Sequence, residues 1–239
     1  GKAGTGKSEI WKTLFRAFNS MDRKNVHEVI NPKAVRNNEL YGWLTKTDWH
    51  DGILSTIMRD MSKNNPPYND SQKLKTIVLD GDIDPEWIES LNTVMDDNKV
   101  LTLVSNERIP MTVPMRLLFE ISNLDNATPA TVSRAGIIFI NERDVGSKPF
   151  LDSWIESRHD DKEKSSLLAL FNKYTTPEYL HEMVRNFQRV VPVTEICMVK
   201  TLCYLLEGLM DRMKRQQAEA KQQAAAGGED GGVSERELF

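Results

Sequence analysis

Gly1-Lys2-Ala3-Gly4-Thr5-Gly6-Lys7-Ser8 satisfies the pattern G-x-x-x-x-G-K-[ST], with one further glycine inside it. Glycines at this density let the backbone curl until successive N–H groups point inward, toward phosphate oxygens. Trp11, Leu14, Phe15 and Phe18 then recur at helical spacing, so a helix follows from Ser8 to Phe18 and adds the positive end of its dipole to the loop. The whole run from Gly1 to Ser8 is expected to cradle a nucleoside polyphosphate, ATP or ADP. Lys7 reaches the β- and γ-phosphates, and the Ser8 hydroxyl binds Mg²⁺. Because Gly1 is not Met and already lies in this motif, the chain is expected to be a piece of something larger. The strand that should lead into the loop is expected to lie before Gly1.

A metal held beside a phosphate loop needs a second acidic group at a strand end. The β-rich run Ile77-Val78-Leu79-Asp80 supplies one about 70 residues downstream, so Asp80 is expected to hold the Mg²⁺ shell together with Ser8. In ATPases of the ring-forming type the next residue is usually a Glu that orients the attacking water. Here it is Gly81, which has no side chain to polarise water. Asp82 or Asp84 offers a substitute, although a one-residue shift in extended chain reverses the side-chain direction. The competing reading makes Asp80 to Asp84 a turn, with Asp84 capping a helix that opens at Pro85. Nucleotide retention, rather than fast turnover, is expected.

Working outward, Val26 to Ile30 reads as a strand stopped by Asn31-Pro32, and Glu39 to Gly42 as a packed loop. Gly52 to Met61 reads as a helix presenting Ile53, Leu54, Ile57, Met58 and Met61, and Asn64 to Ser71 as a surface loop. One helix from Pro85 is expected to carry Ile88, Leu91, Val94 and Met95. Val100 to Val104 and Arg108 to Met111 flank a hairpin tip at Ser105-Asn106-Glu107. Arg116 to Ser122 and Gly136 to Ile140 read as further strands. Strands alternating with helices imply an α/β layer structure on a mostly parallel sheet, here as a P-loop NTPase.

Beyond residue 150 the strand signal stops. Lys162 to Tyr174, Pro177 to Arg189 and Val193 to Met210 read as three amphipathic helices, and from Arg212 the text turns to Gln, Ala, Gly and charge. The expected organisation is an α/β nucleotide-binding subdomain over 1–150, a helical lid over 151–213, and a low-complexity linker or tail over 214–239.

Composition narrows the alternatives. Of 239 residues, 39 % are hydrophobic and 28 % charged, enough for a sizeable core and too apolar for wholesale disorder. A net charge of −4 gives no electrostatic footprint for nucleic acid. No apolar run approaches membrane-spanning length, and no partner in a membrane is expected. Cys197 and Cys203, without nearby Cys or His partners, read as small core residues rather than a metal set.

Two polar residues are further candidates. Asn123 follows the strand ending at Ser122, where an amide can reach a γ-phosphate or its attacking water; a simple loop Asn is the alternative. Arg134 closes Thr128-Pro129-Ala130-Thr131-Val132-Ser133-Arg134 and is placed to reach a nucleotide on a neighbouring domain, or else to make an ordinary surface ion pair. Lys33 and Arg36 read as solvated charges.

These residues together carry a resemblance. Asn31-Pro32-Lys33-Ala34-Val35, Asn38-Glu39-Leu40-Tyr41-Gly42, Leu79-Asp80-Gly81-Asp82-Ile83-Asp84-Pro85 and Trp87-Ile88-Glu89-Ser90-Leu91-Asn92 resemble the second AAA+ module of a dynein heavy chain. Val94-Met95-Asp96-Asp97-Asn98-Lys99, Asn106-Glu107-Arg108-Ile109-Pro110 and Pro129-Ala130-Thr131-Val132-Ser133-Arg134-Ala135-Gly136 extend it. The wording is axonemal, nearest the outer-arm β class. The resemblance is dense to about Glu156, looser to Met210 and absent beyond.

It implies a ring of AAA+ modules on one heavy chain, in which this module holds Mg²⁺-nucleotide with little or no hydrolysis. It also implies that Arg134 is the finger presented to the first module's nucleotide and that Asn123 is the first sensor. No arginine matches the second sensor; the last helix offers only Lys200. Implied partners are the other modules of the heavy chain and, through the whole motor, intermediate and light chains and microtubules. The implied location is the cytoplasm and cytoskeleton, in the axoneme of a cilium or flagellum. The rival reading is a self-sufficient, hydrolysing P-loop ATPase that forms a homo-oligomeric ring.

Overall fold

Ile77 and Leu79 point to one face of the central strand and Val78 to the other, and none of the three is more than 1 % exposed. Strict side-chain alternation with burial on both sides requires a sheet covered on both faces, the condition of a parallel α/β sheet. The computed structural model describes residues 1–187, 190–191 and 193–226. It divides into two units, Gly1–Asp144 and the residues from Val145 onward.

In the first unit, α1 (Lys7–Ser20) leads to β1 (Asn25–Ile30), followed by α2 (Asn37–Tyr41), β2 (Gly42–Leu44), β3 (Trp49–Asp51) and α3 (Ile53–Lys63). Then come β4 (Leu74–Asp80), α4 (Pro85–Ile88), a 3-10 turn (Glu89–Leu91), α5 (Asn92–Met95), β5 (Val100–Thr102), β6 (Arg108–Pro110), β7 (Met115–Glu120) and α6 (Pro129–Arg134). The main sheet runs β1-β4-β7, parallel throughout, with Ile30 beside Leu79 and Asp80 beside Glu120. Trp11 and Phe15 of α1 cover Val78 on one face. The opposite face carries the larger cluster, in which Leu40, Leu54, Met58, Met61, Ile77, Leu79 and Leu91 are buried together.

Polar groups fix several ends. Lys75 is fully buried on β4; its ammonium donates to Met61 O (2.9 Å) and to Asn64 Oδ1, capping the carboxyl end of α3 where Asn64 turns at φ +56°. Burial drives this ammonium's pKa below the usual lysine value. Tyr41 donates its phenol to Trp87 O (2.5 Å), tying α2 to α4. Arg59 donates to Asp51 (2.7 Å) and Glu107 (2.7 Å), holding the β2–β3 and β5–β6 hairpins to α3.

Several expectations are corrected. Glu39 to Tyr41 is helical, because Leu40 and Tyr41 are buried against α3 and Trp87, a tertiary gain that local turn signals do not display. Ile53 is exposed while Ser55 joins Leu54, Met58 and Met61 on the buried face of α3. The helix from Pro85 breaks into α4, the 3-10 turn and α5, which lets Ile88, Leu91 and Val94 all bury. Residues 136–140 form no strand. Their composition suits one, but a strand exists through its ladder, and among the described residues none pairs with this segment; Ile138 is 85 % exposed.

In the second unit, α7 (Glu142–Val145) straddles the boundary and α8 (Lys148–Glu156), α9 (Asp161–Tyr174), α10 (Pro177–Asn186) and α11 (Glu195–Ala226) follow. Leu151, Trp154 and Ile155 pack with Leu167, Phe171, Val199 and Cys203. Asp160 and Thr176 cap α9 and α10 with their side chains. Cys203 is core, whereas Cys197 is exposed, correcting the assignment of both to the interior. The last helix runs well past Met210, because Gln, Ala, Lys and Glu are strong helix formers. Arg189 and the end of the expected tail, 227–239, lie outside the described residues.

Candidate nucleotide-binding site

The loop before α1 has the backbone its glycines allow. Gly4 and Gly6 adopt φ +84° and +88°, a region costly for any residue with a Cβ, and Gly6 directly precedes the first turn of α1. Thr5 is buried and donates its hydroxyl to Lys2 O (3.0 Å), closing the loop on itself. The Lys7 ammonium folds back over the same turn, donating to Gly1 O (2.7 Å) and Lys2 O (2.8 Å). Gly1 N donates to Ser122 O (3.0 Å), which holds the loop beside the end of β7. Ala3, at the crest of the loop, is exposed.

Ser8 donates its hydroxyl to Glu120 Oε1 (2.5 Å), and the Trp11 indole N–H binds the other oxygen, Oε2 (2.9 Å). Asp80 is the register neighbour of Glu120 on the adjacent strand. Both lie two residues beyond Val78 and Leu118, so both carboxylates emerge on the face covered by α1. The loop residues, the Lys7 ammonium, a serine hydroxyl and two carboxylates at neighbouring strand ends fit a polyphosphate with a hard divalent cation, for which oxygen ligands are the natural donors.

Beyond Asp80 the chain turns away. A Cβ added at Gly81 would lie 3.1 Å from Asn31 Oδ1 and 3.2 Å from Pro32 Cδ, so a side chain there asks these two side chains, just beyond β1, to give by a few tenths of an ångström. Asp82 Oδ1 accepts the Ser122 backbone N–H (2.8 Å). Hydrogen bonds from Ser122, with Lys33 and Lys7 nearby, hold its carboxyl below the usual range. Asp84 caps α4 by accepting the Glu86 N–H (3.0 Å), as the capping alternative expected. Lys33 and Arg36 are exposed and line a cleft of about 490 Å³ with Asp84 and Trp87.

Asn123 Oδ1 accepts the Asp125 N–H (3.2 Å), an Asx turn just past β7. Arg134, the last residue of α6, is ion-paired through Nε to Asp96 and donates from Nη1 to Ala130 O (2.7 Å). Lys200 lies over the Phe150 ring, 5.0 Å from its centroid. The loop, Asp80, Asp82 and Ser122 thus gather at the carboxyl ends of β4 and β7, while Arg134 is held at Asp96. Glu120 was not singled out from the sequence. It sits in no local motif: the in-register pairing of β4 with β7 sets it beside Asp80, and the packing of α1 on that face brings it to Ser8.

Comparison with known proteins matches residues 1–135 to the family described as AAA domain (dynein-related subfamily). Residues 167–228 match the dynein heavy chain AAA lid domain. Among relatives, the ciliary dynein beta chain of Heliocidaris crassispina is 55 % identical over 212 residues, covering 88 % of this chain and 5 % of that protein. Dynein axonemal heavy chain 17 of Mus musculus is 52 % identical over 88 % of this chain and 5 % of its own length. The flagellar outer-arm dynein beta chain of Chlamydomonas reinhardtii is 49 % identical over 89 % of this chain and 5 % of its own. The chain therefore spans about a twentieth of the length of these relatives.

Proposed function

This chain belongs to the dynein-related AAA domain family, and from that premise we propose that it is the second AAA+ module of an axonemal dynein heavy chain, retaining Mg²⁺-ATP or ADP with little or no hydrolysis. AAA domains bind nucleotide as a class, and the backbone at Gly4 and Gly6 with Lys7 above it supports that here. Bound Mg²⁺ would supply positive charge against the polyphosphate. Ser8 and Asp80 are the residues offered to hold it. Lys7 trades its two loop carbonyls for β- and γ-phosphate oxygens, and the loop from Gly1 to Gly6 orients the polyphosphate.

The observation that carries the non-hydrolysing part is Gly81 and its surroundings. Residue 81 has no side chain, and a Cβ there would come within 3.1 Å of Asn31 Oδ1 and 3.2 Å of Pro32 Cδ. Asp82, the nearest alternative, is committed to Ser122 with a lowered proton affinity, which makes it a poor base near neutral pH. In the assembled ring, Arg134 leaves Asp96 to act as a finger on the neighbouring module's nucleotide, and Asn123 senses the γ-phosphate on this one. The setting is the axoneme of a cilium or flagellum, in a microtubule motor with intermediate and light chains.

The test is to purify the chain, denature it, and identify any released nucleotide by chromatography while following ATP turnover beside a Lys7→Ala variant. Released ADP or ATP, with turnover equal to that of the variant, is the expected result. Turnover that Lys7→Ala abolishes overturns the non-hydrolysing reading and favours the self-sufficient ATPase.

A further inference from the structure

We propose that Glu120 is a positioning residue for the cation at this site: it takes the Ser8 hydroxyl proton, so that the oxygen's lone pairs face the metal, and it is locked in that pose by the Trp11 indole. The inference rests on the nucleotide reading above and adds to it a residue outside the phosphate-loop motif.

A serine hydroxyl has one proton and two lone pairs. If the proton rotates toward the cation, the oxygen cannot serve as a ligand, so something must hold it elsewhere. Glu120 Oε1 accepts it at 2.5 Å, the short distance typical of a hydroxyl on a carboxylate. Left alone, a carboxylate at a strand end would rotate between rotamers. Here the second oxygen is occupied by Trp11 Nε1–H at 2.9 Å, and Trp11 is itself buried, 6 % exposed and packed against Phe15, His27 and Val78. The chain of contacts therefore runs from the rigid sheet face through Trp11 and Glu120 to Ser8. Metal ligands are commonly oriented by such outer hydrogen-bond partners. The neighbouring Asp80, on the same face in register, adds a second negative charge that a cation relieves.

The test uses the full 239-residue chain, with ADP titrated calorimetrically in Mg²⁺ and again in EDTA. Wild type is expected to bind ADP more tightly with Mg²⁺. Glu120→Gln, isosteric but unable to accept from both Ser8 and Trp11, is expected to lose about tenfold in Mg²⁺ and to stay within about twofold in EDTA. Ser8→Ala should lose a similar factor, and the double variant no more than either alone, the signature of two groups acting as one. The Trp11 indole ¹H–¹⁵N resonance, assigned with Trp11→Phe, should move when Mg²⁺ is added to the ADP-bound wild type and stay still in Glu120→Gln. Wild-type affinity of Glu120→Gln in Mg²⁺, an equal loss in both buffers, or an indole resonance indifferent to Mg²⁺ each overturns the assignment. Failure of the parent reading looks different: wild type then binds no ADP in either buffer, and both fall together.

Discussion

Asp82 and Ser122 meet across the ends of β4 and β7, the carboxylate accepting the backbone N–H at 2.8 Å. The bond closes the sheet's carboxyl edge beside the phosphate loop, since Ser122 O in turn receives Gly1 N. It also decides what Asp82 does. A carboxyl held below its usual pKa by donors is a structural anion rather than a proton acceptor. Asp82→Asn is therefore expected to leave ATP turnover where wild type has it, measured by phosphate release. It should loosen the edge instead, with a modestly lower melting temperature at neutral pH. Because the folded-state pKa is depressed, this stabilisation is present above the unfolded value and lost as pH falls through the folded one. Wild type and variant should then converge in acid.

Gly81→Glu restores the residue usual in hydrolysing relatives of the fold, yet it is expected not to restore hydrolysis. The new Cβ would lie 3.1 Å from Asn31 Oδ1 and 3.2 Å from Pro32 Cδ, contacts tight enough that these side chains must give by a few tenths of an ångström. A lowered urea midpoint with turnover no higher than that of Lys7→Ala is the expected pair of results. Appreciable turnover would show that Asn31 and Pro32 give way and that Gly81 alone withholds hydrolysis.

Lys75 tests how firmly α3 is tied to the sheet. Its fully buried ammonium joins β4 to Met61 O and Asn64. Lys75→Ala removes both bonds and the packed stem, and it is expected to destabilise the first unit by about 2–4 kcal/mol in urea unfolding.

Arg59 links both hairpins to α3, and its guanidinium holds Asp51 and Glu107 below the usual carboxylate range, chiefly by direct hydrogen bonds. Both carboxyls are more than a third exposed or close to it, so screening limits the gain. Arg59→Met is expected to cost about 1–2 kcal/mol at pH 7. Since both folded pKa values are lowered, the stabilisation vanishes as pH falls through them. Urea midpoints of wild type and variant should differ at pH 7 and converge in acid, once the pH lies below both lowered values.

The second unit offers a chemical check. Cys203 is buried among Trp154, Phe171 and Val199, and burial pushes its thiol pKa up, whereas Cys197 is exposed. Iodoacetamide on the native chain should label Cys197 and spare Cys203, read by peptide mass spectrometry; both should react in urea.

What could be read in advance follows the range of the interaction. The loop, α1, Asp80 at a strand end, the Asp84 cap and the hairpin at 105–107 rest on neighbours in sequence, and local chemistry announces them. Glu120 owes its place to a strand partner 40 residues away in register, and no periodicity displays that. Residues 136–140 show the converse: β-rich composition states a capacity to pair, not the presence of a partner. At Arg134 the sequence reading left open a finger and a surface ion pair. Asp96 supplies the second in this chain.

The length of α11 has a mechanical consequence. From Lys214, paired with Glu163 of α9 at 2.9 Å, to Ala226 it continues for twelve residues, about 18 Å at the rise of an α-helix. An unbroken helix of that reach behaves as a lever arm. A swing of about five degrees at its packed root displaces the far end by about 2 Å. Small adjustments around Val199 and Cys203 thus emerge magnified where the arm ends.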